Sequence, residues 1–263
     1  MKYLITILLL LSPAFGQHKY VTNFPANETP ISENHNWINQ GTCSDPTLCP
    51  GAGSSNVNSN SGIAHGTQSG AAAPPYLDSG AIVSGTWGAT QTVEVVVNWD
   101  GNKNTDNNFD ETEIRLRNTF YSNGHGQGYN VNCRTGTPSS GSYVHMGRFN
   151  ADGSFGPLSG PKTDCTNSAR CGCTQGDVLV GTIVNNSSNQ PVVTFYKNGV
   201  QIIQGTDTGG PAAIQSGSPG FGFYHECGSH PCGSSNGSNS DFGISSFVAS
   251  ELAPPSGLSA TVH

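Results

Sequence analysis

The residues best placed to do chemistry here are oxygen donors. Asp100 to Glu111 reads DGNKNTDNNFDE, with Asp100, Asn102, Asn104, Asp106 and Asn108 at alternate positions and Glu111 at the twelfth. That spacing is the ligand register of an EF-hand loop, in which a hard cation takes about six to eight oxygens and the last glutamate binds through both of its own. Thr105 stands where such a loop turns on a glycine, and the flanks read as strands rather than helices. A calcium ion is the expected occupant. The competing reading is a polar turn whose Asn and Asp side chains set backbone geometry.

A second set begins where the loop ends. Asp110, Glu111 and Glu113 are the nearest acidic cluster, and Glu111 and Glu113 share a strand face at their spacing. Retaining glycoside hydrolysis needs two carboxyls about 5 Å apart. Arg115 and Arg117 follow on the same face, so a charge-paired solvent face is the expected arrangement. A third set joins Arg115 and Arg117, which can neutralise an anion, to Tyr143 and His145, which can move protons. Tyr143 and His145 share a face by alternation, and the competing reading is an exposed polar sheet face. Trp37, Trp87, Tyr121, Tyr129 and Tyr143 are candidate platforms for stacking a sugar ring, each against the alternative of core packing. Trp99 ends an apolar alternation and is expected in the core, whereas His65 and His125 read as solvated loop residues. No phosphate-cradling G-x-x-x-x-G-K occurs.

The elements that must position these groups are strands. Thr92 to Trp99 alternates, with Val93, Val95 and Val97 on one face, and Glu113 to Arg117 puts Ile114 and Leu116 opposite the charged residues. Gly128–Arg134, Ser142–Phe149, Asp177–Val184, Phe221–His225 and Phe242–Ala249 are further strand candidates. Val192 to Gln204 reads as a hairpin turned at Asn198-Gly199, the pair a type I′ turn prefers. No stretch after the first residues sustains a helical period. Ten or so strands with frequent turns predict an all-β fold, a two-sheet antiparallel β-sandwich or jelly roll. Residues 40–75, rich in Gly, Ser, Asn and Ala, read as a long loop inserted in that domain.

The compartment is legible too. Lys2 and the apolar run Leu4 to Leu11, with Ala14-Phe15-Gly16 behind it, read as a signal peptide over residues 1–16. The run is too short to span a bilayer, and no membrane insertion is expected. Eight cysteines follow: Cys43, Cys49, Cys133, Cys165, Cys171, Cys173, Cys227 and Cys232. An even count in an exported chain reads as disulfides. Spacing favours Cys43–Cys49 and Cys227–Cys232, with the other four pairing among themselves and tying Cys133 to the loop Cys165–Cys173. His225, Cys227, His230 and Cys232 are also a zinc-like set, which an oxidising compartment disfavours. The net charge of −7 excludes a nucleic-acid partner as the expectation. Sequons at Asn27, Asn185, Asn186 and Asn236 matter only in a host that glycosylates them.

The order of NFPANETPISENHNW from Asn23, then EIRLR, GYNVNCR, SYVHMGRFNADGSFGPL, GDVLVGTIV, VTFYKNGVQIIQGTD, SGSPGFGFY and SDFGISSFVAS resembles the concanavalin A-like lectin/glucanase superfamily, in its laminin-G-like jelly-roll branch. The resemblance covers about residues 20–250, within a domain placed at residues 17–250, and residues 251–263 resemble a linker or the first strand of a fibronectin type III domain. Neither the E-x-D-x-x-E strand of the glucanases nor the full arginine, histidine and tyrosine motifs of the alginate lyases occurs. The resemblance therefore implies a secreted, non-catalytic binding or adhesion module whose partner is an extracellular glycan. A polysaccharide-degrading enzyme, lyase before glycosidase, is the runner-up, and a structural spacer of a surface protein is the third reading. No cofactor other than calcium is expected.

Overall fold

The computed structural model describes residues 18–251, except 42–55, 68–77, 100–109, 123, 136–141, 153, 163, 167–169, 210–211 and 226–240. Among the described residues the chain forms strands and no α-helix. In chain order they are β1 (Lys19–Thr22), β2 (Trp37–Asn39), β3 (Val57–Asn60), β4 (Ile63–Gly66), β5 (Ser79–Val83), β6 (Gln91–Trp99), β7 (Asp110–Phe120), β8 (Gly126–Thr135) and β9 (Tyr143–Phe149). There follow β10 (Phe155–Pro157), β11 (Ser159–Lys162), β12 (Asp164–Thr166), β13 (Val178–Asn185), β14 (Pro191–Lys197), β15 (Val200–Thr206), β16 (Ser218–His225) and β17 (Phe242–Glu251). One sheet runs β11-β15-β14-β13-β6-β17-β4-β3, with β1 also on β17. The other runs β10-β9-β8-β7-β16-β5-β2, with β12 also on β9. The named strand pairs are antiparallel, and the two sheets make the expected sandwich.

Period-two alternation explains why the sheets meet. Val93, Val95 and Val97 on β6 and Ile114 and Leu116 on β7 are fully buried between the layers. Trp37 joins the two sheets: its ring lies 5.1 Å from Phe221 on β16 and 5.0 Å from Phe247 on β17. Trp99 packs against this core while remaining partly exposed. The Asn198-Gly199 hairpin forms as read, with φ of 50° and 76° at the two turn residues. Cys133 is bonded to Cys173 and Cys165 to Cys171, so Cys133 is tied to the 165–173 loop. Cys43, Cys49, Cys227 and Cys232 lie outside the described residues, as do residues 1–16 and 252–263.

Four expectations change. Residues 40–75 are not simply a loop: their middle forms the β3–β4 hairpin, which extends one sheet through β17. The composition hid it, because Val57, Ser59 and Ala64 are small residues that alternate inward without an apolar run. Trp37, Trp87 and Tyr129, read as stacking platforms, are buried core residues. Their polar atoms are satisfied inside the protein: Trp37 Nε1 donates to Glu33, Trp87 Nε1 to Ser84 O and Tyr129 OH to Asp207. His125 is buried rather than solvated. Finally, the charged side of β7 does not face solvent, since Glu113, Arg115 and Arg117 are all at most 2% exposed.

Candidate functional site

The outer face of the β10–β2 sheet, pointing away from the core, gathers the polar residues. Antiparallel register sets His145 opposite Asn132, Asn132 opposite Glu113, Glu113 opposite Gly222 and Gly222 opposite Gly80. Gln40 completes the row beyond Gly80, to whose carbonyl its backbone N–H donates at 2.8 Å. The row crosses the strands at right angles, one position per strand, at about 4.8 Å per step. Beside it run Tyr143 on β9 and Glu111 on β7.

Arg115 organises the row. Its Nη2 and Nε donate to Glu113 Oε2 at 2.9 and 3.1 Å, and its Nη1 donates to Gln40 Oε1 at 2.8 Å. Nη2 also lies 3.6 Å from Asp78 Oδ2, and the guanidinium sits 5.5 Å from the centre of the Phe120 ring. To reach from β7 past β5 the side chain lies flat over two bare positions. A Cβ on Gly80 would stand 2.5 Å from Arg115 Nη1, and one on Gly222 would stand 2.5 Å from Glu113 Oε2. The glycines are the channel in which the ion pair lies.

The carboxyls differ in their surroundings. Glu113 accepts from Arg115 and, at 3.3 Å, from Asn130 Nδ2, all on Oε2; its Oε1 is buried without a donor. Burial pushes Asp78 well above the usual carboxylate range, the charge of Glu113 pushes it further and Arg115 opposes. Burial raises Glu113 as well, with Arg115 holding it down. Arg115 Nη2 lies closer to Glu113 than to Asp78, at 2.9 against 3.6 Å, and so favours the charged form of Glu113 more. Glu111 accepts from Asn132 Nδ2 at 3.1 Å and from the Tyr143 hydroxyl. The Tyr143 and His145 rings are 4.4 Å apart, as the alternation required, and both residues are half-buried.

The other sequence candidates disperse. Arg117 adopts φ of 52° at an irregularity between Leu116 and Thr119, which turns it off the face. Its guanidinium donates to Ala89 O, Ile214 O and Asn185 Oδ1 at 2.6, 2.9 and 2.8 Å, and burial lowers its pKa to about 10. Arg115 and Arg117 thus share none of these partners. Tyr121 is exposed at the β7–β8 turn and donates to Gln127. His225 Nδ1 is 2.5 Å from Asp110 Oδ1, while Cys227, His230 and Cys232 lie outside the described residues. So do Asp100, Asn102, Asn104, Asp106 and Asn108; of the calcium register only Glu111 is described. No group of three or more metal-ligating side chains occurs among the described residues.

Sequence reasoning missed Gln40, Asp78, Asn130 and Asn132. One signal was present: Gly220-Phe221-Gly222-Phe223 alternates glycine with phenylalanine, which marks a strand bare on one face and apolar on the other.

No family profile and no curated protein matches the sequence. Among solved structures, the chain is similar to β-agarase A in complex with oligoagarose, at TM-score 0.50 and 9% identity, over 92% of this chain and 96% of that one. It is also similar to a structure reported for endo-acting O-glycanases of the human gut microbiota (TM-score 0.49, 12% identity, 89% and 99% covered). A third is the carbohydrate recognition domain of Emp47p (TM-score 0.43, 11% identity, 92% and 100% covered). The likeness to β-agarase A shows the fold, a two-sheet jelly-roll sandwich, which is the fold that the sequence resemblance implied.

Proposed function

We propose that the protein is a secreted module that binds an extracellular carbohydrate on the outer face of the β10–β2 sheet without cleaving it. The observation that carries this reading is the polar row running in register from His145 to Gln40 across the strands, with the half-buried Tyr143 and His145 rings at one end. Such a row offers hydrogen-bonding groups to an extended chain of hydroxyls. The disulfides Cys133–Cys173 and Cys165–Cys171 support an extracellular setting. The likeness to β-agarase A bound to oligoagarose supports the ligand class by fold alone. Two features speak against cleavage: Glu113 is buried beneath Arg115, and both Glu111 oxygens already accept hydrogen bonds. The purified protein is expected to retain glycans on an array and to release neither reducing ends nor unsaturated uronates. Release of either product overturns the non-catalytic half of the reading, and an array without a hit overturns the binding half.

One observation favours an enzyme instead, namely the 4.4 Å approach of Tyr143 and His145, a pair suited to proton transfer in a lyase. The guanidiniums of that face are already set against carboxyls, Arg115 on Glu113 and Arg134 opposite Glu111 in the register, and Arg117 has left the face.

Calcium in the Asp100–Glu111 loop is a separate proposal, resting on the oxygen register of the sequence. Bidentate ligation by Glu111 requires it to exchange the Asn132 and Tyr143 hydrogen bonds for the ion. Millimolar calcium should then raise the thermal midpoint relative to chelator. Equal midpoints, with no calcium retained through purification, remove the site.

A further inference from the structure

We infer that the glycan is neutral, and that it stacks a sugar ring on Phe155 while a hydroxyl donates to Asn132 Oδ1; this deepens the binding reading above and rests on it. Phe155 lies on β10, at the margin of the same outer face, and is 43% exposed. Its ring is seated directly on Gly147 of β9, where a Cβ would stand 2.2 Å from the ring edge, and it leans on Phe149 at 4.8 Å between centroids. An exposed phenyl held by a bare position beneath and a second ring beside it is a preorganised platform, and the C–H face of a pyranose is the ligand surface that fits it.

The polar complement is close by. Gly147 is two residues beyond His145 on one strand face, and His145 pairs with Asn132 on β8. Two residues along and one strand across place Asn132 about 8 Å from the seat of Phe155. Asn132 gives an amide N–H to Glu111, but its Oδ1 is buried and accepts nothing. A buried acceptor beside a platform asks for a donor, and a sugar hydroxyl supplies one.

Charge selects among glycans. The outer face carries the carboxyls of Asp78, Glu111 and Glu113 against the guanidiniums of Arg115 and Arg134. Arg115 is buried on Glu113 at 2.9 Å, and Arg134 stands opposite Glu111 in the register. With each of these two guanidiniums set against a carboxyl, the face holds no excess positive charge for a uronate or a sulfate ester. A neutral glycan meets no such deficit.

The experiment is a binding panel in which neutral galactans, β-glucans and xylans stand beside alginate, pectate and sulfated galactans, followed by titration of the tightest neutral hit against variants. Neutral glycans are expected to bind and the anionic ones to bind at least tenfold more weakly. Phe155→Ala should weaken the neutral hit tenfold or more with an unchanged melting midpoint, Phe155→Trp should keep it, and Asn132→Leu should weaken it tenfold or more. Binding restricted to anionic glycans overturns the inference while leaving the carbohydrate reading intact, as does full binding by Phe155→Ala. A panel with no hit at all overturns the parent reading and the inference with it. Should Asn132→Leu fail to fold, Phe155→Ala, whose ring lies outside the core, still decides.

Discussion

Arg115 lies 2.9 Å from Glu113, two residues away on the same strand, and the pair is buried over the bare positions of Gly80 and Gly222. A buried ion pair costs desolvation that only good geometry repays, and here two guanidinium nitrogens converge on one carboxylate oxygen. The pair is a packing unit whose shape depends on glycines contributed by other strands.

That dependence makes Gly222→Ala disruptive. The added methyl would meet Glu113 Oε2 at 2.5 Å and Arg115 Nε at 2.6 Å, in the middle of a sheet where neither side chain has another place to go. The expected loss is about 1–3 kcal/mol, read from denaturant midpoints. Gly156→Ala, with nothing within 4 Å of its Cβ, is the control and should be near neutral. Equal effects of the two substitutions would show that the channel is not tight.

The raised carboxyl of Asp78 sets a pH dependence. An acid whose folded pKa is raised binds its proton more tightly in the native state, so stability declines as pH rises from the unfolded value of about 4 toward the folded one. Asp78→Asn removes the titrating proton, and its stability should decline less over that window. Urea titrations of both proteins at several pH values make the comparison. Parallel curves would place the proton elsewhere.

Peptide mapping under non-reducing conditions should recover Cys133 joined to Cys173 and Cys165 joined to Cys171. Replacing Cys133 and Cys173 together by alanine should cost about 2–5 kcal/mol, because this bridge spans 40 residues. The Cys165–Cys171 bridge closes a separation of only 6 and should cost less. Scrambled peptides in native material would refute the pairing.

Core and face aromatics should separate cleanly. Trp37→Ala removes a ring that contacts Phe221 and Phe247 from opposite sheets, and a loss of about 3–5 kcal/mol is expected. Tyr143→Phe removes only the hydroxyl donated to the buried Glu111 at the face, and a loss of about 1 kcal/mol is expected with glycan binding weakened. Thermal melts and binding titrations on the two variants distinguish them; loss of fold in both would move Tyr143 into the core.

The sequence by itself determined what short-range physics controls. Period-two alternation in Val93, Val95 and Val97 fixed a strand and its inward face, Asn198-Gly199 specified a turn that only residues tolerant of positive φ can make, and the crowding of Cys165, Cys171 and Cys173 anticipated where Cys133 would be tied. What it could not determine was the environment on the other side of each alternation. Ile114 and Leu116 were legible as core, yet Glu113 and Arg115 opposite them look the same in sequence whether they face water or lie in a channel made by Gly80 and Gly222. Trp37 and Trp87 are equally ambiguous, since an aromatic ring with a polar edge suits a rim and a core alike. The candidate site was the least legible part, because Gln40, Gly80, Glu113, Asn132, His145 and Gly222 are neighbours only through strand register. Register between strands far apart in the chain is a property of the folded sheets, set by how the whole hydrophobic set docks, and no local pattern encodes it.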